Sequence, residues 1–303
     1  MEVPEIQPGL QQKFIDVNGE MGREWIAAFP ALLRSFIERW DIVELGDTFG
    51  YVGYAWVAPV RLRDGTEAVL KLAPPDKEYA NEGIAMRLYD GRGAARLIDG
   101  DSEAVALLLE RLRPGTTLAE VEDDVEATET GARAMAKLFR PLPEEHAFPT
   151  VERWGGAFAR VREANGGGCG GFPPELFEPA ERIYFEMCAS QGTPVLLHGD
   201  LHHWNILRAE REPWLVIDPK GLAGEPAYET AAFLRNKADI EPDSAALAHR
   251  RIAQMSEVIG LDKQRVLRWA FAAGVLSALW TFEDHGEISE RNIVLPRALR
   301  ASI

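Results

Sequence analysis

The sequence predicts an α+β chain of two lobes: an antiparallel-sheet amino-terminal lobe over residues 1–112 and a mostly helical lobe over residues 113–303. Two observations lead there. Short runs rich in β-branched and aromatic residues fill the chain before Arg113, and long amphipathic stretches fill it beyond Pro114. A third, the hinge-like segment Glu110 to Arg113, stands where the character changes.

Taken in order, residues 23–40 set Trp25, Phe29, Leu32, Leu33, Phe36 and Trp40 on one helical face. FGYVGYAWVAPVRL then reads as a strand, RDGT as a hairpin turn and EAVLKLA as the returning strand. After Pro74 and Pro75, KEYANEGIAMRLYDG has helical periodicity and ends near Gly91; AARLIDG and AVALLLERL follow as two further strands. The second lobe is expected to carry helices over 116–139, 174–190, 225–237, 243–259 and 263–285, interrupted by the apolar runs PVLLHGDL and WLVIDPKG. NGGGCGGFPP at 165–174 is a connecting loop.

Composition narrows the function. No apolar run approaches the roughly 20 residues of a membrane span, and the opening MEVPEIQPGL lacks the basic start and apolar stretch of a signal peptide. Cys169 and Cys188 are the only cysteines, which argues against a disulfide framework or zinc motif and fits a reducing cytoplasm. Lys plus Arg number 33 against 48 Asp plus Glu, a net charge of −15 that opposes a phosphate backbone. The same acidity suits a cationic small substrate, or simply keeps the chain in solution. Neither a membrane, a nucleic acid nor an obligate protein partner is implied.

The chemistry concentrates in LLHGDLHHWNIL and LVIDPKG. Phosphoryl transfer needs a carboxylate at the acceptor hydroxyl and oxygen ligands for magnesium beside the nucleotide phosphates. Asp200 and Asn205 stand five positions apart, the spacing of the catalytic Asp and metal-binding Asn in the protein-kinase loop, with His198 two positions before Asp200. Asp218 follows Asn205 by thirteen residues at the end of a short apolar strand, and a hairpin there would return its carboxylate to Asn205. The bland alternative makes His198 a core histidine, Asp200 a turn carboxylate and Asn205 a cap. His198 and His202 share the interval of zinc proteases, but Gly199 occupies the place of the required Glu, so a metal-hydrolase reading fails.

Lys71, set among apolar neighbours in AVLKL, is the candidate cation for the phosphates. Glu82, eleven residues later, would hold it, with Glu78 as the competing partner. GGGCGG at 166–171 formally matches a dinucleotide pattern but opens no helix, and no P-loop sequence occurs. Gly46, Gly50 and Gly53 are either a phosphate-covering loop or ordinary turn glycines.

With these residues in place the chain resembles the aminoglycoside phosphotransferase superfamily, most closely the streptomycin kinase and hydroxyurea phosphotransferase family. NGEMGREWIAAFPALL, VAPVRLRDGTEAVLKL, NEGIAMRLYDGRGAARLID, LLLERLRPGTTL, LLHGDLHHWNIL and IDPKGLAGEPAYE carry the resemblance in order along the chain. It implies a bilobal protein-kinase-like fold that binds ATP and magnesium. Asp200 would be the catalytic base, Asn205 and Asp218 the metal ligands. Lys71 would contact the phosphates and Glu82 orient it, while backbone groups around Glu110, Arg111 and Leu112 would meet adenine. Pro219 and Lys220 follow Asp218 where protein kinases have Phe and Gly, so no movable Phe switch is expected. Lys220 would reach a phosphate oxygen or make a structural ion pair.

For the acceptor, Trp280 and Glu283 share a helical face, and Tyr228 and Glu229 could join them; core packing is the competing reading. The expected activity is transfer of the γ-phosphate of ATP to a hydroxyl of an aminoglycoside, cyclitol, amino-sugar or related small molecule, antibiotic inactivation being one use. The alternative is a nucleotide-binding pseudokinase acting as a regulatory module. Its mark would be loss of a catalytic group, and Lys71, Asp200, Asn205 and Asp218 are all present.

Overall fold

The computed structural model describes residues 3–49, 53–75, 77–236 and 244–303, apart from the side chains of 77–79 and 284–285. Gly50 and the side chain of Glu78, both singled out above, lie outside the described residues. The chain divides into two compact units, Met1–Gly115 and Thr116–Ile303, against an expected division at 112/113.

In the first unit, α1 (Pro8–Arg39) begins well before the expected residue 23. Its early part is separated at Gly19, whose φ of 58° only glycine adopts readily. Gly22 completes the bend: a Cβ there would lie 2.2 Å from the Phe14 carbonyl oxygen, so a side chain would hold the two segments apart. The sheet contains β1 (Ile42–Leu45), β2 (Trp56–Leu62), β3 (Glu67–Leu72), β4 (Leu97–Asp101) and β5 (Ala106–Glu110), with α2 (Lys77–Tyr89) between β3 and β4. Its antiparallel order is β1-β2-β3-β5-β4. The strand expected from residue 49 starts at Trp56, and β1, only four residues long, is too short to show a strand period.

Strand periodicity of two assigns the faces. Trp56, Ala58 and Val60, with Ala68, Leu70, Leu72, Ala106 and Leu108, are buried in one core with Phe14, Trp25, Phe29, Leu33 and Phe36 of α1. Each fully buried Leu or Phe contributes about 1.5–3 kcal/mol. Lys71 lies at the odd register, on the face away from that core.

In the second unit, β6 (Pro114–Thr117) starts at the junction and α3 (Asp124–Ala136) follows. The helix expected from 116 waits until Asp123, whose side chain caps it by accepting from Val125 N–H and Glu126 N–H. Then come β7 (Arg140–Pro141), α4 (Val151–Trp154), α5 (Gly156–Ala164), α6 (Pro174–Ala189), β8 (Val195–Leu197), β9 (Ile206–Ala209), β10 (Trp214–Val216) and β11 (Leu222–Gly224). α7 (Pro226–Arg235), α8 (Ser244–Ile259), α9 (Lys263–His285) and α10 (Glu290–Leu299) complete it. α4, α5 and α10 were not expected. α9 is the hub: Val266, Trp269, Phe271, Val275, Leu276 and Leu279 are all buried. Among the described residues no helix is long and apolar enough to cross a membrane.

A buried arginine of this unit is paired. Arg251 of α8 is 1% exposed, and its guanidinium donates to both oxygens of Asp124 at the start of α3 and to the Asn236 carbonyl. Burial would raise the Asp124 pKa, but the two guanidiniums of Arg251 and Arg250 outweigh it and hold that carboxyl well below the usual range.

Candidate active site

In the first unit, Lys71 pairs across the sheet with Val57 on β2 and Leu107 on β5. An ammonium in such surroundings needs a partner. Its Nζ donates to Glu82 Oε2 of α2 at 2.6 Å, and the two residues are 9% and 3% exposed. Gly83 permits the helix to lie close to the sheet, since a Cβ there would stand only 3.1 Å from Leu107 Cδ2.

At the end of β5, Glu110 N–H donates to the Arg96 carbonyl at 2.8 Å, and Arg96 N–H donates to Glu110 Oε2 at 2.9 Å. Glu110 thus uses its own amide and carboxylate on Arg96, so a backbone donor for a base would come from Arg111 or Leu112. The Arg111 guanidinium lies 3.7 Å from Glu67 and Leu112 is buried.

In the second unit, β8 delivers the loop from His198 to Asn205, the β9–β10 hairpin turns the chain around, and β11 returns along β8. Hairpin register pairs Ile206 with Val216, and Ile217 N–H donates to the Asn205 carbonyl at 3.0 Å. Asp218 therefore follows directly on a backbone link to Asn205. Asp218 has a φ of 61°, an uncommon conformation for a residue with a side chain.

His198 ties the two segments together. Its ring Nε2 meets the Ile217 carbonyl at 2.8 Å, its Nδ1 accepts from Asp200 N–H at 3.3 Å, and its own carbonyl accepts from Lys220 N–H at 2.7 Å. Only a neutral imidazole protonated on Nε2 satisfies both ring contacts. Burial, opposed by the Ile217 carbonyl, pushes the His198 pKa down to about 4. Gly199 could be no other residue: its φ is 86°, and a Cβ would meet Trp154 at 3.1 Å and Leu222 and Lys220 at 3.3 Å.

Asp200 is partly exposed, and its Oδ1 accepts from Arg235 Nη2 of α7 at 3.1 Å. Asn205 Nδ2 donates to the Asp200 carbonyl at 3.0 Å, which leaves the amide oxygen as the atom to offer a cation. That oxygen and the Asp218 carboxylate are hard donors of the kind magnesium takes, so the residues fit such an ion. Lys220 Nζ stands 3.8 Å from Asp218 Oδ2, an ion pair of the two alternatives raised above.

The candidate acceptor residues divide. Glu229 is 2% exposed, and both its oxygens accept from Gly199 N–H at 3.1 Å. Tyr228 is 5% exposed and packed edge-on against Tyr184 and Trp269. These two correct the expectation: they belong to the framework under the loop, because α7 turns them inward. Trp280 packs edge-on against Trp154, and Glu283 accepts both arms of the Arg160 guanidinium at 2.8 and 2.9 Å. Their predicted face exists, but its carboxylate is already paired.

Arg235 was not anticipated. An arginine closing the apolar run AAFLR looks like an ordinary partner for the carboxyl end of a helix. Nothing in its spacing points to Asp200.

A sheet-borne Lys–Glu pair and an HGD loop stitched to an Asp-bearing hairpin are the parts of a small-molecule kinase with a protein-kinase-like fold. The comparisons agree. A Streptomyces rimosus aminoglycoside phosphotransferase, solved with ADP and streptomycin, has this fold, with a TM-score of 0.57 at 18% identity over 84% of this chain and 98% of its own. Streptomycin 6-kinase of Streptomyces glaucescens is 35% identical, covering 99% of this chain and 97% of the relative. Hydroxyurea phosphotransferase of Kitasatospora aureofaciens is 37% identical over 98% and 86%. Residues 39–286 match the aminoglycoside/hydroxyurea antibiotic resistance kinase family, and the chain belongs to that family.

Proposed function

We propose that the protein transfers the γ-phosphate of ATP to a hydroxyl group of an aminoglycoside, cyclitol, amino-sugar or related small molecule, inactivating an antibiotic in the cytoplasm. The observation that carries this reading is the backbone stitching of the His198–Asn205 loop to Ile217 and Lys220, which gathers Asp200, Asn205 and Asp218 in one place. Names of relatives support the acceptor class.

Asp200 takes the acceptor proton as the new bond to phosphorus forms. Arg235 and the carbonyl contact from Asn205 hold that carboxylate in place. Asn205 and Asp218 would hold magnesium, which when bound offsets charge on the phosphates. Lys71, fixed by Glu82, is the cation for the phosphates, and the backbone of Arg111 and Leu112 is the adenine contact. Lys220 offsets the charge of Asp218.

The test is ADP formation with ATP and magnesium against streptomycin, other aminoglycosides, cyclitols, simple sugars and hydroxyurea, with mass spectrometry locating the phosphate. Asp200→Ala is expected to lower acceptor-dependent turnover by at least about 100-fold while nucleotide affinity holds. Near-normal turnover by that variant would remove Asp200 from its role.

A further inference from the structure

Both oxygens of Asp200 have a neighbour. Oδ1 accepts from Arg235 at 3.1 Å, and Oδ2 faces His202 Nε2 at 3.7 Å. The second separation is too long for a hydrogen bond, yet a single oxygen atom about 2.8 Å from each would fit between them. The site is open to solvent on this side: the two side chains are 28% and 20% exposed. The other edge of the imidazole is different, for Nδ1 is buried and has no hydrogen-bond partner among the described residues.

The Asp200 carboxylate beside Nε2 favours the proton there. An oxygen between an ionised carboxylate and an N–H must donate to the first and accept from the second. A hydroxyl does both, whereas a phosphoryl oxygen has no proton to give.

We propose that His202 is a further catalytic residue, whose Nε2–H and the Asp200 carboxylate together hold the acceptor's hydroxyl oxygen. The proposal rests on Asp200 as the base. In the transfer, the hydroxyl proton passes to Asp200 Oδ2 and an oxygen lone pair forms the new bond to the γ-phosphorus. The bond from that phosphorus to the β,γ-bridging oxygen breaks, and ADP leaves with the electron pair. His202 keeps its proton throughout; it fixes where the oxygen sits and which lone pair remains for attack.

The experiment compares wild type, Asp200→Ala, His202→Ala and His202→Gln in the full chain. Turnover is read with ATP, magnesium and streptomycin, and again as slow ATP hydrolysis without acceptor, where a water oxygen takes the hydroxyl's place. Nucleotide affinity and thermal unfolding are measured for each. His202→Ala should lower kcat about 100-fold with unchanged nucleotide affinity. His202→Gln, which carries an N–H donor at similar reach, should recover about tenfold of that loss. A His202→Ala enzyme within about threefold of wild type, alongside an inactive Asp200→Ala, overturns the role of His202 alone. So does a folded, nucleotide-binding His202→Gln no more active than His202→Ala. An active Asp200→Ala overturns the reading beneath it instead.

Discussion

Glu229 shows how a single side chain can serve the site without meeting a substrate. Its carboxylate is buried under the loop and accepts from Gly199 N–H, immediately before Asp200. Burial drives its pKa up to about 7 against the pull of the backbone amides, from an ordinary 4.5. The sign follows from proton uptake: between about 4.5 and 7 the folded chain holds a proton that the unfolded chain has released. Its stabilising contribution is therefore fully present below about 4.5 and is lost as pH rises through about 7, up to roughly 3 kcal/mol in all. Urea unfolding of wild type and Glu229→Gln across pH 4.5 to 7 should show a steeper fall in the wild type. Parallel curves would mean that Glu229 ionises as an ordinary carboxylate. From the sequence, Glu229 was an acidic side chain in a helix near the motif, readable as a contact to the acceptor or as core packing. Its direction was illegible, since a helical residue one position along faces solvent or core according to packing that the chain alone does not state.

At the scale of elements, α7 does most to seat the loop. It carries Glu229 under Gly199, Arg235 against Asp200 and Phe233, which stacks on His203 with ring centroids 3.9 Å apart. Phe233 is wholly buried, and α3 reaches it through Gly131: a Cβ there would lie 2.3 Å from the ring. Gly131→Ala gains about 1 kcal/mol of helix propensity, but overpacking against a rigid ring costs about 1–3 kcal/mol, more where the backbone must move. The expected result is a net loss of stability in urea unfolding together with a lower kcat, as Phe233 presses on His203. Adding Phe233→Leu should restore part of both; an unchanged kcat in Gly131→Ala would show that the loop does not depend on this contact. α6 was legible because one buried stripe suffices to declare it, whereas α9, buried on nearly every face, was legible from its length of apolar sequence. α4, α5 and α10 were not, being short or polar, and the start of α1 was hidden by the Gly19 bend. The β9–β10 hairpin was the useful exception: the apolar run before Asp218 could return to Asn205 in only one simple way.

At the scale of the whole molecule, phosphoryl transfer restricts residue types and spacings, so a candidate catalytic set can be named from sequence, while many surfaces recognise a hydroxylated small molecule and an acceptor site cannot be named that way. What the full sequence does supply is its field. A net charge of −15 attracts a cationic acceptor and repels the nucleotide, and such steering acts over the Debye length. That length falls from about 30 Å at 0.01 M salt to about 8 Å at 0.15 M. With nucleotide saturating, kcat/KM for a polycationic aminoglycoside should therefore drop about tenfold over this range, through KM and with little change in kcat. An uncharged hydroxyl acceptor from the same panel should show almost no dependence, and KM for ATP should fall as its repulsion is screened. Equal salt slopes for charged and uncharged acceptors would mean that the acidic surface serves solubility and leaves acceptor capture to contacts within the site.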